Sequence, residues 1–146
     1  MRFERIVEDK KKYLDLLLLA DEQEDMIDRY IDRGEMWTLD DGDIRGVCVV
    51  TDEGEGVLEI KNLAVATEYQ RRGYGKAMIE FISKHYNNYT KLRVGTGDSP
   101  LTVPFYVSCG FKETGRITNF FTDNYDHPIW EGGVLLKDMV ILERCV

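Results

Sequence analysis

The chain has 146 residues, 43% of them hydrophobic and 32% charged, with a formal net charge of −8 at pH 7. That length suits one domain with its own core, and the composition is ordinary for a globular protein. The acidic excess repels phosphate backbones and argues against nucleic acid as the main partner. No apolar run approaches the roughly 20 residues of a membrane span, so no membrane association is expected.

The charge is unevenly placed. Eighteen acidic and eight basic residues precede Lys61, whereas nine acidic and eleven basic residues follow Ile60. The pattern fits a cationic substrate meeting the N-terminal half and an anionic cofactor held by the C-terminal half; it equally fits a solvated acidic surface. The start, Met1-Arg2-Phe3-Glu4-Arg5, lacks the apolar stretch of a secretory leader. Cys48, Cys109 and Cys145 are odd in number and lack metal spacing, which suggests buried free thiols in a reducing cytoplasm and no bound metal.

In chain order, Phe3 to Val7 reads as a strand, Lys10 to Ala20 as a helix with a leucine face, and Asp21 to Arg33 as a second, acidic helix ended by Gly34. Met36 to Leu39 and Ile44 to Val50 form a hairpin across Asp40-Asp41-Gly42-Asp43. A long strand runs from Val57 to Val65, then a glycine turn and a helix from Tyr74 to His85. Lys91 to Thr96 is a strand, and Leu101 to Cys109 a short helix closed by Gly110. Phe111 to Phe121 and Val134 to Glu143 are closing strands, separated by an aromatic loop, Thr122 to Gly133, long enough to suggest function. No repeat or linker divides the chain, so residues 1–146 are expected to be a single domain, an α/β (α+β) fold with a mixed sheet.

Gln70-Arg71-Arg72-Gly73-Tyr74-Gly75-Lys76 carries the most chemistry. A glycine-rich turn from strand into helix exposes N–H groups with no intrahelical acceptor, at the positive end of the helix dipole. Such a turn suits a phosphate or pyrophosphate, with Arg71, Arg72 and Lys76 adding charge; an ordinary strand–helix turn with solvated arginines is the alternative. The dinucleotide spacing G-x-G-x-x-G fails because residue 78 is Met, and the P-loop spacing fails because the glycines are two apart and Ala77 follows Lys76.

What remains, Q-x-x-G-x-G after a strand ending Leu63-Ala64-Val65, resembles the acetyl-CoA motif [RQ]-x-x-G-x-[GA] of the GNAT superfamily of N-acetyltransferases. Phe105-Tyr106-Val107-Ser108-Cys109-Gly110-Phe111, about thirty-five residues further on, resembles that family's F-Y-x-x-x-G-F segment. The pairing is far more specific than either part.

The resemblance implies a mostly antiparallel sheet of about six or seven strands, splayed into a V beside the cofactor turn and flanked by about four helices. It implies acetyl-CoA as acetyl donor, with Leu63, Ala64, Val65, Gln70, Arg71, Arg72, Gly73, Tyr74, Gly75 and Lys76 around it. A backbone N–H among Leu63 to Val65 would meet the oxyanion. Tyr106 falls at the general-acid position and Glu59 where several members carry a base, acting directly or through water. Ser99 stands near a cofactor-contacting asparagine of the family, yet it also suits an N-cap before Pro100. His127, with no metal-spaced partner, is a poor zinc ligand.

The acceptor is expected to be a small-molecule amine or a protein amine. The acidic stretch Asp21, Glu22, Glu24, Asp25, Asp28 and the loop 122–133 are the places to look for it. A homodimer through the strand Val134 to Glu143 is also implied. Transfer to a hydroxyl, and a CoA-binding sensor without turnover, are the competing readings.

Overall fold

Apolar side chains at alternate positions between residues 57 and 65 build the central strand, and an irregularity within it decides the architecture. The computed structural model describes residues 1–146 throughout. Its elements are β1 (Arg2–Ile6), α1 (Leu14–Ala20), α2 (Glu24–Asp28), β2 (Glu35–Asp40), β3 (Ile44–Gly54), β4 (Val57–Val65), α3 (Tyr74–His85) and β5 (Lys91–Gly97). Then follow α4 (Val103–Ser108), β6 (Lys112–Ile117), α5 (Phe120–Asn124), β7 (Trp130–Glu131), β8 (Val134–Leu135) and β9 (Met139–Cys145).

Seven strands form one sheet in the order β1-β2-β3-β4-β5-β9-β6, and β7 and β8 form a separate hairpin. Only the β4–β5 pair is parallel; the remaining pairs are antiparallel. This is the mixed, mostly antiparallel sheet expected, with five α-helical segments around it.

The register of β3 on β4 shifts between Val49, opposite Asn62, and Val50, opposite Ile60, so Lys61 has no partner and forms a β-bulge. Strict alternation would put residues 58, 60, 62 and 64 on one face. The extra residue instead reverses the faces halfway. Leu58 and Ile60 join the core under α3 with Met78, Ile79 and Ile82, whereas Ala64 joins the core under α1 and α2 with Leu17 and Ile27. Each buried Leu, Ile or Met among these contributes about 1.5–3 kcal/mol, so the bulge is held by apolar packing on both faces.

Several boundaries differ from the sequence expectation. Residues 10–13 form a 3-10 turn before α1. The second helix spans only Glu24–Asp28, which leaves Asp21, Glu22 and Gln23 in the connection. The loop 122–133 contains the end of α5 and strand β7, and the expected strand Val134 to Glu143 is divided into β8 and β9. Strand β9 is paired on both sides, by β5 and by β6, so it offers no free edge to a second copy; the free edge on that side is β6. Cys48 and Cys109 are buried as expected, but Cys145 is exposed because it ends β9. No helix is long and apolar enough to cross a membrane.

Candidate active site

The parallel pairing of β4 with β5 runs from Val57 opposite Lys91 to Ile60 opposite Val94 and stops there. Beyond it the strands part. Lys61 to Val65 lean on β3 alone, and Gly95 to Gly97 on β9 alone, so backbone groups on both sides of the gap lack strand partners. Around this V lies a cleft of about 1350 Å³. That exceeds the range of about 300–1,000 Å³ usual for a single small-ligand pocket.

At one end of the cleft stands the glycine turn. Gly73, with φ of 86°, begins α3 in the left-handed region that a side chain would strain. The first bond of the helix end runs from Ala77 N–H to the Gly73 carbonyl at 3.0 Å. The N–H groups of Tyr74, Gly75 and Lys76 therefore leave the helix unpaired by it. Gln70 Nε2 donates to the Val65 carbonyl at 3.0 Å and pins the turn to the end of β4. A Cβ at Gly75 would come within 3.0 Å of Phe105 Cζ, so the glycine lets α3 and α4 touch.

Of the residues expected here, Leu63, Ala64, Val65, Gln70, Arg71, Gly73, Tyr74, Gly75 and Lys76 line the cleft, and Arg72 and Ser99 do not. Arg72 lies over the Tyr69 ring, 5.7 Å from its centroid. The Tyr74 hydroxyl donates to Asp41 Oδ2 at 2.8 Å, tying α3 to the β2–β3 turn. Ser99 is 4% exposed; its Oγ accepts the Leu101 N–H at 3.2 Å and lies 3.3 Å from Thr102 Oγ1. Ser99 therefore closes a turn ahead of the helix and is not the N-cap expected from the sequence: α4 begins at Val103, with Thr102 at the cap and Pro104 in its first turn.

Tyr106 and Glu59 line the same cleft. Tyr106 is carried by α4, whose first turn contains Pro104, and its ring packs edge-on against Phe111 at 5.5 Å between centroids. Burial pushes its phenol above the ordinary tyrosine value. Glu59 lies opposite Arg93, which lies opposite Glu143, so three charged side chains form a ladder across β4, β5 and β9. Glu59 Oε2 is 2.5 Å from Lys61 Nζ, the bulge residue, and Oε1 is 3.8 Å from Arg93. Arg93 Nε meets Glu143 at 3.0 Å.

Further carboxylates reach the cleft that the sequence did not single out individually as site residues, Asp21 and Glu131 among them. Asp21, in the α1–α2 connection, accepts the Tyr125 hydroxyl at 2.5 Å and the Tyr30 hydroxyl at 2.9 Å. Burial raises its pKa, and those two hydrogen bonds, Tyr125 first, oppose the rise. Glu131, on β7, is raised likewise by burial, opposed by the Ser99 hydroxyl. Glu22 of the acidic stretch lines the cleft as well, whereas Glu24 and Asp28 lie outside the lining and hold Lys11 at 2.8 and 2.6 Å. His127 lies outside the lining, between Asp126 at 2.6 Å and Glu22 at 3.7 Å. The sequence signal for Asp21 and Glu131 was the pairing of an acidic stretch with an aromatic, acid-bearing loop.

A splayed mixed sheet, with a glycine turn and a tyrosine lining one cleft, defines an acyltransferase scaffold. The comparisons agree. The profile of the Acetyltransferase (GNAT) domain matches residues 32–113. The "Uncharacterized N-acetyltransferase YvbK" of Bacillus subtilis (strain 168) is 36% identical over 146 residues, which span 97% of this chain and 94% of that protein. The IAA acetyltransferase from Bacillus cereus ATCC 14579 superposes with a TM-score of 0.92 at 33% identity, over 99% of both chains. A GNAT family acetyltransferase from Elizabethkingia anophelis, solved with acetyl-CoA bound, superposes with a TM-score of 0.90 at 34% identity, over 99% of this chain and 97% of that one. The chain belongs to the GNAT family of acetyltransferases.

Proposed function

We propose that this enzyme, a single acetyltransferase domain over residues 1–146, moves an acetyl group from acetyl-CoA to a primary amine by direct attack. The observation that carries the reading is the gap between β4 and β5. It joins the unpaired N–H groups of the α3 end to a cleft lined by both Glu59 and Tyr106.

In this reading the α3 N-terminus, Arg71 and Lys76 hold the pyrophosphate, and Lys61 to Val65 pair with the pantetheine arm through backbone free of β5. A protonated amine with an ordinary pKa near 10.4 must first lose a proton, which costs roughly 4–5 kcal/mol at pH 7. Glu59 takes that proton, directly or through a water. The nitrogen lone pair then forms the C–N bond at the thioester carbonyl. The resulting oxyanion is met by a backbone N–H among Leu63 to Val65. As the C–S bond breaks, its electron pair stays on sulfur, and Tyr106 protonates the thiolate. The second nitrogen proton leaves by the same path as the first. The products are an N-acetyl amine and free CoA thiol. Tyr106 suits the acid role by its place in the cleft; like any tyrosine it is protonated at neutral pH, and the upward push of burial makes it a weaker donor. Glu59 can act only when Lys61 yields one of its oxygens, an exchange that an arriving ammonium can drive. The free thiols Cys48, Cys109 and Cys145 agree with a cytoplasmic setting.

Free-thiol release from acetyl-CoA, measured with and without a panel of amines and alcohols, tests the reading. Amine-dependent release supports it. Binding of CoA with no acceptor-dependent release favours a sensor, and release only with alcohols favours transfer to a hydroxyl.

A further inference from the structure

The cleft contains a primary amine of the protein's own. Of the nine lysines in the sequence, Lys61 and Lys76 line it. Lys76 belongs to the pyrophosphate end, in the first turn of α3. Lys61 stands where β4 and β5 part.

Lys61 is the one residue of β4 without a register partner on either neighbour. Pairing with β5 ends at Ile60, and the bulge removes Lys61 from the β3 ladder. The residues beside it are anchored. Ile60 is buried in the core under α3. Asn62, which also lines the cleft, donates through Nδ2 to the Leu17 carbonyl at 2.9 Å and to the Tyr30 hydroxyl at 3.1 Å. A flexible side chain therefore hangs from an unpaired residue between two fixed ones. Its ammonium lies 2.5 Å from Glu59 Oε2, the group read as the base. Leu63, a candidate for the oxyanion N–H, is two residues further on, about 6.6 Å along an extended strand. A four-carbon stem sweeps that distance.

A nucleophilic nitrogen, a carboxylate touching it and a bound thioester thus meet in one cleft, and the nitrogen is part of the enzyme. Holding reactants together in this way removes the entropic cost of a bimolecular encounter. Building on the transferase reading, we propose that Lys61 is a self-acetylation site and that its acetylation frees Glu59 for the acceptor amine.

Glu59 takes one proton from the Lys61 ammonium, and the nitrogen lone pair forms the C–N bond at the thioester carbonyl. The C–S bond breaks with its electron pair on sulfur, and Tyr106 protonates the thiolate. The second nitrogen proton leaves through Glu59 to solvent. The products are Nε-acetyl-Lys61 and free CoA. The new amide is neutral and no longer holds the carboxylate as an ammonium does. The cation remaining on Glu59 is Arg93, 3.8 Å from Oε1 and already committed to Glu143 at 3.0 Å. Oε2 is then open to an arriving amine, without the exchange that the unmodified enzyme requires.

Enzyme of unmodified intact mass, incubated with acetyl-CoA and no amine, tests this by peptide mass spectrometry. Lys61 should gain an acetyl group about tenfold or more faster than the exposed Lys84 and Lys112. Excess CoA should suppress the gain at Lys61 and not at those two. Acetylation of Lys61 no faster than of Lys84, or insensitive to CoA, overturns the proposal. After preincubation with acetyl-CoA, the rate with subsaturating hexylamine should rise about twofold or more. It should stay level in Lys61→Arg, which keeps a cation for Glu59 but offers no nucleophilic amine at neutral pH. A wild-type rate that stays level or falls overturns the release of Glu59, and the wild-type measurements decide both points even if the variant does not fold. Acetylation of hexylamine with Lys61 unmodified removes this inference alone and leaves the transferase reading standing. Neither product, with CoA bound, removes both.

Discussion

Replacing Tyr106 with Phe separates a chemical role from a packing role, because the structure predicts opposite results for rate and stability. The ring is buried against Phe111 and keeps its place in the variant. Burial and neighbouring thiol and carboxylate groups account for its raised phenol, with no hydrogen bond among the causes. Removing the hydroxyl therefore strands no buried partner, and the folding free energy should change by less than about 0.5 kcal/mol. The chemical loss is larger. General acids contribute about 10²–10⁴-fold. A thiol with an ordinary pKa near 8.5 is already a fair leaving group, so the low end applies. The expected loss is about 10²-fold in kcat, or about 2.7 kcal/mol of barrier at 1.36 kcal/mol per decade. The assay is initial-rate thiol release at saturating amine, with melting temperature and CoA affinity measured on the same preparation. A kcat within twofold of wild type refutes the acid role. A fall in kcat matched by a fall in CoA affinity or melting temperature refutes the separation of roles.

Glu59→Gln should lower kcat by about 10²-fold at saturating amine while CoA affinity stays unchanged; an unchanged kcat rules out Glu59 as the base. Gly73→Val places a branched side chain at φ of 86°. It should cost about 1–2 kcal/mol, seen as weaker CoA binding by calorimetry and a lower melting temperature. Unaltered affinity and stability would mean that the turn does not need its left-handed residue. Asp21 has a folded pKa raised above 3.8, so its ionised form costs the folded state more than the unfolded one. That cost is absent below about pH 4 and complete above the raised value. The stability of Asp21→Asn relative to wild type, followed by thermal melts, should therefore increase from pH 4 to pH 7. A relative stability that decreases over that interval contradicts the burial argument.

The cofactor half of the site was legible because its chemistry is local. Gln70 to Lys76 must be a strand–turn–helix for the N–H groups to point outward, and glycine at 73 states that geometry in the sequence. The bulge at Lys61 was not legible. Residues 57–65 read as an uninterrupted alternation, and only pairing with β3 reveals that Asn62 and Ala64 face the opposite way from Leu58 and Ile60. For the same reason the sequence alone could not place Asn62 in the cleft. The second helix was read too long because Asp21 to Arg33 has acceptable helical residues throughout. In the structure the Asp21 carboxylate is claimed by Tyr30 and Tyr125, the latter over a hundred residues away, and the helix begins only at Glu24. The loop 122–133 drew notice for its aromatics and acids, but its docking on the α1–α2 connection depends on long-range hydrogen bonds. Arg29 to Asn124 Oδ1 and the Asp126 N–H to Gln23 Oε1 are two of them. Contacts of that range leave no periodic trace in the chain.

Acceptor-dependent release of CoA thiol from acetyl-CoA, measured on wild-type protein with hexylamine as acceptor and mass spectrometry of the amine product, tests the central claim most directly. The account predicts stoichiometric N-acetylhexylamine and free thiol, with hexylamine raising the rate over the amine-free control. Binding of acetyl-CoA with no amine-dependent thiol and no N-acetyl product would contradict it.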